Sequence, residues 1–136
     1  MAKGNRPLPL PNVETEPFWQ GCARSELLLQ RCRSCQAYRH PPSPICARCW
    51  SPEHDWVPSS GRGTVYSFVV VHHQFREWSG EVPYVTAIVE LAEGPRIVSN
   101  IVGVPHDQVK IGMPVAVFFE KASEEIFLPL FRPVEP

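Results

Sequence analysis

Four of the five cysteines in this chain of 136 residues form two closely spaced pairs. Two residues separate Cys32 from Cys35, ten residues follow, and Cys46 and Cys49 then repeat the first spacing. A C-x2-C turn directs two thiolates at one ion, and two such turns complete a tetrahedral site with zinc–sulfur distances of about 2.3 Å. The spacing therefore predicts one structural metal ion, zinc in preference to iron, with these four cysteines as its ligands.

Two other uses of paired cysteines fit the sequence less well. Disulfides are rare in cytoplasmic proteins, and a redox C-x-x-C pair needs no duplicate and lies in a βαβ unit, for which the sequence shows no pattern. Four thiolate ligands also leave no open coordination position for Lewis-acid catalysis. We therefore expect the metal to stabilise the fold. The fifth cysteine, Cys22, is expected to be a small hydrophobic residue of a helix.

No catalytic motif accompanies the cysteines. The sequence contains no G-x-S-x-G, no phosphate-binding P-loop and no H-E-x-x-H. His72 and His73 end a predicted strand, but a general base needs an orienting group, and none is fixed beside them by the sequence. His40, His54 and His106 are expected to lie in loops and to face solvent. We therefore predict no catalytic residue in this chain.

Composition restricts the class of protein. Hydrophobic residues make up 43% and charged residues 20%, as in ordinary globular proteins. No apolar run approaches the roughly 18 residues that a membrane span needs, and prolines interrupt the N-terminal segment before it reaches signal-peptide length. We therefore expect a cytoplasmic protein with no membrane partner. The 16 prolines favour short strands joined by turns over long helices.

Charge bears on a possible nucleic-acid partner. Residues 1–60 carry seven Lys or Arg against five Asp or Glu, whereas residues 61–136 carry six against nine. Zinc ribbons and OB-folds both commonly bind single strands, and base stacking would use exposed aromatic residues. The candidates are Trp50, Trp56, Tyr66, Phe68, Phe75, Trp78 and Tyr84. A nucleic-acid module therefore stays the alternative function, although the acidic second half disfavours it.

Three segments are indicated. Residues 1–25 form an extended Pro-rich arm followed by a short helix over 14–25, which Thr15 would cap and whose first turn suits Pro17. Phe18 and Trp19 lie on the apolar stripe of that helix, and we consider both core packing and a partner-binding role for them. Residues 26–60 hold the cysteine pairs between two short strands, 27–31 and 55–57, with an extended Pro-rich link between the pairs.

Residues 61–136 have the pattern of a small β-barrel. Runs of β-branched and aromatic residues predict strands over 64–73, 84–91, 96–102, 115–121 and 126–131, with one helical turn between the third and fourth. Five strands with such a link suit an OB-fold. Pro129 lacks an N–H group, so the last strand is expected at a sheet edge. The segment Gly61-Arg62-Gly63 is expected to be a flexible turn between the two domains.

Several strings in this order resemble a known family. The FW helix, the doubled C-x2-C and the junction SGRGTVYS look like the small zinc-ribbon and OB-fold proteins that are associated with thiolase-like enzymes and acyl-CoA. The resemblance runs from about Glu16 to Pro133. It implies a mainly β fold with an N-terminal helix, a rubredoxin-like zinc ribbon over 26–60 and a five-stranded OB-fold barrel over 61–136.

The resemblance also implies a function. Such proteins are non-catalytic subunits that assemble with a thiolase or a thiolase-like lipid-transfer protein and help to bind acyl-CoA. The catalytic residues then belong to the partner, which cleaves or forms C–C bonds by thiolysis or retro-aldol chemistry in steroid or aromatic degradation. We expect a hetero-oligomer around a thiolase-like dimer. Because guanidinium groups bind phosphates in bidentate fashion, Arg33, Arg39 and Arg62 are our candidate contacts for the phosphates of CoA.

Overall fold

The computed structural model of this protein describes residues 7–73 and 82–134. It is mainly β, with one N-terminal helix, a small sheet that carries the cysteine pairs and a closed five-stranded barrel, as the sequence predicted. Among the described residues, no helix is long and apolar enough to cross a membrane. The elements are α1 (Glu16–Ala23), β1 (Leu28–Cys32), β2 (Tyr38–Arg39), β3 (His54–Pro58), β4 (Arg62–Val71), β5 (Tyr84–Leu91), β6 (Arg96–Ile101), a 3-10 turn (His106–Gln108), β7 (Pro114–Lys121) and β8 (Phe127–Pro133).

The start of α1 differs from the sequence expectation. Thr15 occupies the N-cap position, but its side chain makes no capping hydrogen bond, so the predicted capping role is wrong. Instead, Asn12 Oδ1 accepts hydrogen bonds from the backbone N–H groups of Glu14 and Thr15, at 2.9 and 3.0 Å. Asn12 thus forms an Asx turn that leads the chain into the helix, and Pro17 stands in the first turn as expected.

Close packing against β1 holds α1 in place. Phe18 and Cys22 are buried on one face of the helix. A Cβ atom on Gly21 would lie 2.7 Å from Leu28 Cγ and 2.9 Å from the carbonyl oxygen of Glu26. The glycine lowers helix propensity, but it lets the helix approach β1 more closely than any other residue would allow.

The cysteine pairs lie on a three-stranded antiparallel sheet with the order β2-β1-β3. Its central strand, β1, pairs with β3 over five residues and with β2 over two, and the two-residue strand β2 was not predicted. Gln30 is buried at the centre of this sheet and accepts hydrogen bonds from Arg39 Nε at 2.8 Å and from the backbone N–H of Ser43 at 2.9 Å. One amide side chain therefore anchors the Pro-rich link to the sheet.

The remaining strands close into a barrel with the order β4-β5-β6-β8-β7, and β4 also pairs with β7. The alternation predicted for 84–91 is confirmed, because Val85, Ala87, Val89 and Leu91 are all buried in the barrel core. In the closed barrel, Gly63 belongs to β4 rather than to a turn. A Cβ atom there would lie 2.5 Å from the carbonyl oxygen of Glu90 on β5.

The position of β8 corrects a prediction. The strand lies between β6 and β7 rather than at a sheet edge, although its pairing with β6 is limited to Ile101 and Phe131. Pro129 has no N–H group with which to continue that ladder. The hydroxyl group of Ser99 on β6 instead donates a hydrogen bond to the carbonyl oxygen of Pro129, at 2.7 Å. The barrel is therefore closed, with a weakly paired seam between β6 and β8.

Candidate functional site

The two cysteine pairs lie on two turns of the same local design. In each turn, the first cysteine accepts a backbone hydrogen bond from the residue four positions later: Gln36 N to Cys32 O at 3.0 Å, and Trp50 N to Cys46 O at 2.8 Å. Gln36 and Trp50 both have a φ of 68°. This left-handed conformation is unusual for both Gln and Trp. Its presence at the same position of both turns indicates that the turns need this backbone geometry.

The sulfur atoms of these turns converge. The Sγ atoms of Cys32, Cys35, Cys46 and Cys49 all lie within 4.8 Å of one another, with Cys32 to Cys49 at 3.4 Å and Cys35 to Cys46 at 3.6 Å. A tetrahedral site with zinc–sulfur bonds of about 2.3 Å needs sulfur atoms about 3.8 Å apart. The spacing is far longer than a disulfide bond of about 2.05 Å. The donor set and its geometry therefore fit one tetrahedral zinc ion.

Backbone amides prepare two of these sulfur atoms for metal binding. The hydrogen bond from Cys35 N lowers the pKa of the Cys32 thiol to about 6, and the amides of Cys49 and Arg48 lower the pKa of the Cys46 thiol. Because metals bind the thiolate, these amides favour the form that coordinates zinc. Cys22 behaves differently, since burial raises its pKa to about 12. It is a packed hydrophobic residue of α1, as expected.

The three arginines proposed for CoA phosphates occupy different environments. Arg33 donates two hydrogen bonds to Asp55 Oδ1, at 3.0 and 2.8 Å, and these bonds hold the pKa of the Asp55 carboxyl below its usual value. Arg39 contacts Gln30, the carbonyl oxygen of Ser43 and the ring of His54, although its buried Nη1 atom has no hydrogen-bond partner. Arg62 is exposed at the start of β4. Their contact with CoA phosphates stays a prediction.

Phe18 and Trp19, the two aromatic residues of α1, differ in how deeply they are buried. Phe18 is only 4% exposed and belongs to the hydrophobic core, and part of it also lines an open cavity; its contact with a partner stays a prediction. Trp19 is half-buried, meets the Phe18 ring edge to face at 5.0 Å, and lines an open cavity. Of the aromatic residues considered for base stacking, Phe75 and Trp78 lie outside the described residues, whereas Trp50 is 75% exposed.

Two histidines differ from the sequence expectation. His40 is half-buried with its ring centre 5.3 Å from that of Phe18, and desolvation by burial lowers its pKa to about 4. His54 lies in β3 and contacts Gln30 and Arg39. His40 therefore lies in a loop as predicted but does not face solvent, and the loop position predicted for His54 is wrong. Their neighbours come from distant segments of the chain, and local residue type does not reveal such neighbours.

Two cavities that sequence reasoning missed lie on the outer surface of β5 and β6. The first has a volume of about 530 Å3 and lies between α1, the segment 40–42 of the ribbon and the seam of β6 and β8. The second, of about 490 Å3, lies farther along the barrel and is lined in part by His106, Phe118 and Glu120. Thr86 and Asn100 are polar, outward-facing residues in this region. Their alternation with buried residues was the only sign in the sequence that they face outward.

Two family models match this architecture along the chain. Residues 19–55 match the model described as "ChsH2, rubredoxin-like zinc ribbon domain", and residues 56–120 match "ChsH2, C-terminal OB-fold domain". A "DUF35 domain-containing scaffold protein" of Methanothermobacter thermautotrophicus is 35% identical over 115 residues, which cover 83% of this chain and 86% of that protein. The chain belongs to the DUF35 family. The zinc-ribbon model and the cysteine cluster confirm the prediction of one structural zinc.

Other relatives of this DUF35 protein carry enzymatic names. A "probable enoyl-CoA hydratase alpha subunit" of Thermomonospora curvata is 42% identical over 134 residues, which cover 98% of this chain but 42% of that protein. The chain spans less than half the length of the hydratase alpha subunits that it matches. "Benzoylsuccinyl-CoA thiolase subunit BbsA" of Geobacter metallireducens is 34% identical over 73 residues, or 54% of this chain and 48% of that protein.

A solved structure with the same architecture extends the comparison. This DUF35 protein superposes on a chain of the "Ltp2-ChsH2(DUF35) aldolase" with a TM-score of 0.86 and 42% identity. The match covers 93% of this chain and 98% of that chain. The helix, ribbon and barrel of the two chains therefore share one arrangement.

Proposed function

We propose that this protein is a non-catalytic accessory subunit that assembles with a thiolase-like protein and supports C–C bond cleavage or formation on CoA thioesters. The observation that carries the proposal is the match over nearly the whole length of both chains to the DUF35 chain of the Ltp2-ChsH2 aldolase. The name of the BbsA relative, a thiolase subunit, supports the same class of partner. The complex would be a hetero-oligomer in which this chain flanks a thiolase-like dimer.

The zinc ribbon would serve this role as a rigid scaffold. In our proposal, Cys32, Cys35, Cys46 and Cys49 hold one zinc ion through their four Sγ atoms. A site closed by four thiolates has no position for substrate or water, so the ion stabilises the ribbon and takes no part in the reaction. The ribbon in turn supports α1, because β1 carries both the first ligand, Cys32, and Leu28, which packs against the helix at Gly21.

The described residues also favour a partner that supplies the catalytic groups. His72 and His106 pack edge to face, with 5.8 Å between their ring centres, so each imidazole contacts the other. His40 is neutral within an apolar setting. We therefore assign the catalytic nucleophile and base to the partner, and we keep Trp19 on the rim of the first cavity as a candidate partner contact.

A native pull-down tests the assembly. The tagged protein is expressed in its own host at native level, captured under mild conditions, and its partners are identified and quantified by mass spectrometry together with the bound metal. We expect a thiolase-like protein in comparable molar amount and one zinc ion per chain. A tagged Trp19→Ala variant should retain zinc and capture less partner, while an Ile111→Ala variant, altered at an exposed apolar residue that does not line the first cavity, serves as the control.

Two results would contradict the proposal. One is recovery of the folded, zinc-bound chain without a thiolase-like protein. The other is recovery with single-stranded nucleic acid in a salt-sensitive complex, which would favour the nucleic-acid alternative.

A further inference from the structure

We propose that the cysteine cluster is also an oxidation site, in which hydrogen peroxide joins Cys49 to Cys32 as a disulfide and the chain releases its zinc ion. Cys49 is the sulfur that reacts with the peroxide, and Cys32 is the sulfur that converts the product into a disulfide. The inference concerns the zinc ribbon alone, so it goes beyond the proposed function and does not depend on a thiolase-like partner.

The four ligands differ in their access to solvent. Cys32 and Cys46, the first cysteine of each turn, are buried, Cys35 is half-buried, and Cys49 is exposed. The residue after Cys49, Trp50, is 75% exposed, so the chain stays at the surface there. Oxidation of a cysteine requires both thiolate character and access. Because zinc holds all four sulfur atoms as thiolates, access decides which one reacts, and it selects Cys49.

Cys32 lies within reach of an oxidised Cys49. Their Sγ atoms are 3.4 Å apart and must approach by roughly 1.3 Å to reach the disulfide length of about 2.05 Å. Cys32 is held at the end of the central strand β1, where it pairs with His54 on β3. Cys49 lies between β2 and β3, outside any strand or helix, so the second turn can supply the movement.

The reaction consumes one hydrogen peroxide per chain. The Cys49 thiolate attacks one oxygen and breaks the O–O bond, which gives a sulfenic acid and a hydroxide ion. The Cys32 thiolate then attacks the sulfur of the sulfenic acid, forms the S–S bond and expels a second hydroxide ion. Two protons from solvent convert the hydroxide ions to water. The two thiolates lose two electrons, and the peroxide gains them.

Loss of two thiolates removes half of the ligand set. Cys35 and Cys46 remain, one in each turn, and two ligands do not complete the four-coordinate site of a structural zinc. The disulfide links the same two turns that the ion linked, so the ribbon keeps a covalent connection between β1 and the second turn. A thiol reductant with added zinc should therefore restore the cluster.

Peptide mapping identifies the disulfide that forms first. Each of the four ligands falls in its own tryptic peptide, because arginines precede or separate them: Arg31, Arg33, Arg39 and Arg48. The zinc-loaded wild type would be treated with one equivalent of hydrogen peroxide, its free thiols blocked with N-ethylmaleimide, and the chain digested without reductant. We expect peptide 32–33 linked to peptide 49–62. The rival product, peptide 34–39 linked to peptide 40–48, would come from Cys35 and Cys46, whose Sγ atoms are 3.6 Å apart.

Histidine substitutions test whether exposure selects Cys49. Cys49→His and the matched control Cys35→His both keep four ligands, in the Cys3His set that also holds structural zinc. Cys49→His removes the exposed sulfur, whereas Cys35→His removes a half-buried one. Zinc release in millimolar peroxide would be followed with a colorimetric chelator. The wild type and Cys35→His should release zinc at similar rates, and Cys49→His should release it several-fold more slowly.

Zinc content and circular dichroism before oxidation show whether each variant is loaded and folded, and the mapping of the wild type decides the question if a variant binds no zinc. Four results would overturn the inference: retention of zinc by the wild type in millimolar peroxide, the rival disulfide as first product, equal release rates for the two histidine variants, or failure of reductant and zinc to restore the metal content. None of these results affects capture of a thiolase-like protein in the pull-down.

Discussion

Burial of His40 makes the folded protein sensitive to mild acid. Its pKa is lowered from 6.5 to about 4 by desolvation, so the unfolded chain binds more protons than the folded chain between these two values. The contribution of His40 to stability is therefore fully present above about pH 6.5, and it is lost as the pH falls through this window. From the two pKa values, the loss due to His40 is about 2 kcal/mol at pH 5 and approaches about 3 kcal/mol below pH 4.

The substitution His40→Gln isolates this effect. Urea unfolding of the wild type, His40→Gln and His73→Gln would be followed by tryptophan fluorescence at about pH 7.5 and pH 5, with excess zinc present. Between the two pH values, the free energy of unfolding should fall by about 2 kcal/mol more for the wild type and for the exposed-site control, His73→Gln, than for His40→Gln. Zinc release at acid pH affects all three proteins alike and cancels in the difference. If His40→Gln loses as much stability as the wild type, the reasoning from burial is refuted.

Three further predictions concern the framework. Gly63→Ala should lower the free energy of unfolding by about 1–3 kcal/mol, since the new Cβ would lie 2.5 Å from the Glu90 carbonyl oxygen, and an unchanged urea midpoint would contradict this. Gln30→Ala should cost about 1–3 kcal/mol because Arg39 Nε and Ser43 N lose their acceptor, and a melting temperature equal to the wild type would argue against it. Zinc removal by a chelator should expose the amides of β1 and β3 to hydrogen exchange, whereas the amides of β5 should stay protected. Simultaneous loss of protection in β5 would show that the barrel also depends on the metal.

Elements that local sequence patterns determine were predicted well. The cysteine spacing defined the metal cluster, because ligand convergence requires both C-x2-C turns. The strand over 84–91 was predicted at its observed bounds, since its alternation of buried and outward residues is uninterrupted. Strand count favoured a small closed or nearly closed barrel after the ribbon, the family resemblance supported it, and the structure has a closed barrel.

Features that depend on distant contacts were not predictable in this way. Strand β2 has only two residues, and one of them, Arg39, donates a hydrogen bond to Gln30 on the neighbouring strand. Pro129 lies in an interior strand, where the hydroxyl group of Ser99 on the neighbouring strand donates a hydrogen bond to its carbonyl oxygen. The burial of His40 follows from its approach to Phe18, which lies 22 residues earlier in the sequence. The first cavity combines residues from α1, the ribbon and three strands of the barrel, and no sequence window contains them all.

Reconstitution with the captured partner tests whether this chain is a non-catalytic accessory subunit. Cleavage of an acyl-CoA from the partner's pathway would be measured for this chain alone, for the partner alone and for the purified complex. We expect the purified complex to cleave the acyl-CoA, the zinc-loaded chain alone to release no product above the buffer rate, and addition of the chain to raise the activity of the partner. Cleavage by the zinc-loaded chain alone would contradict the claim that it is a non-catalytic accessory subunit.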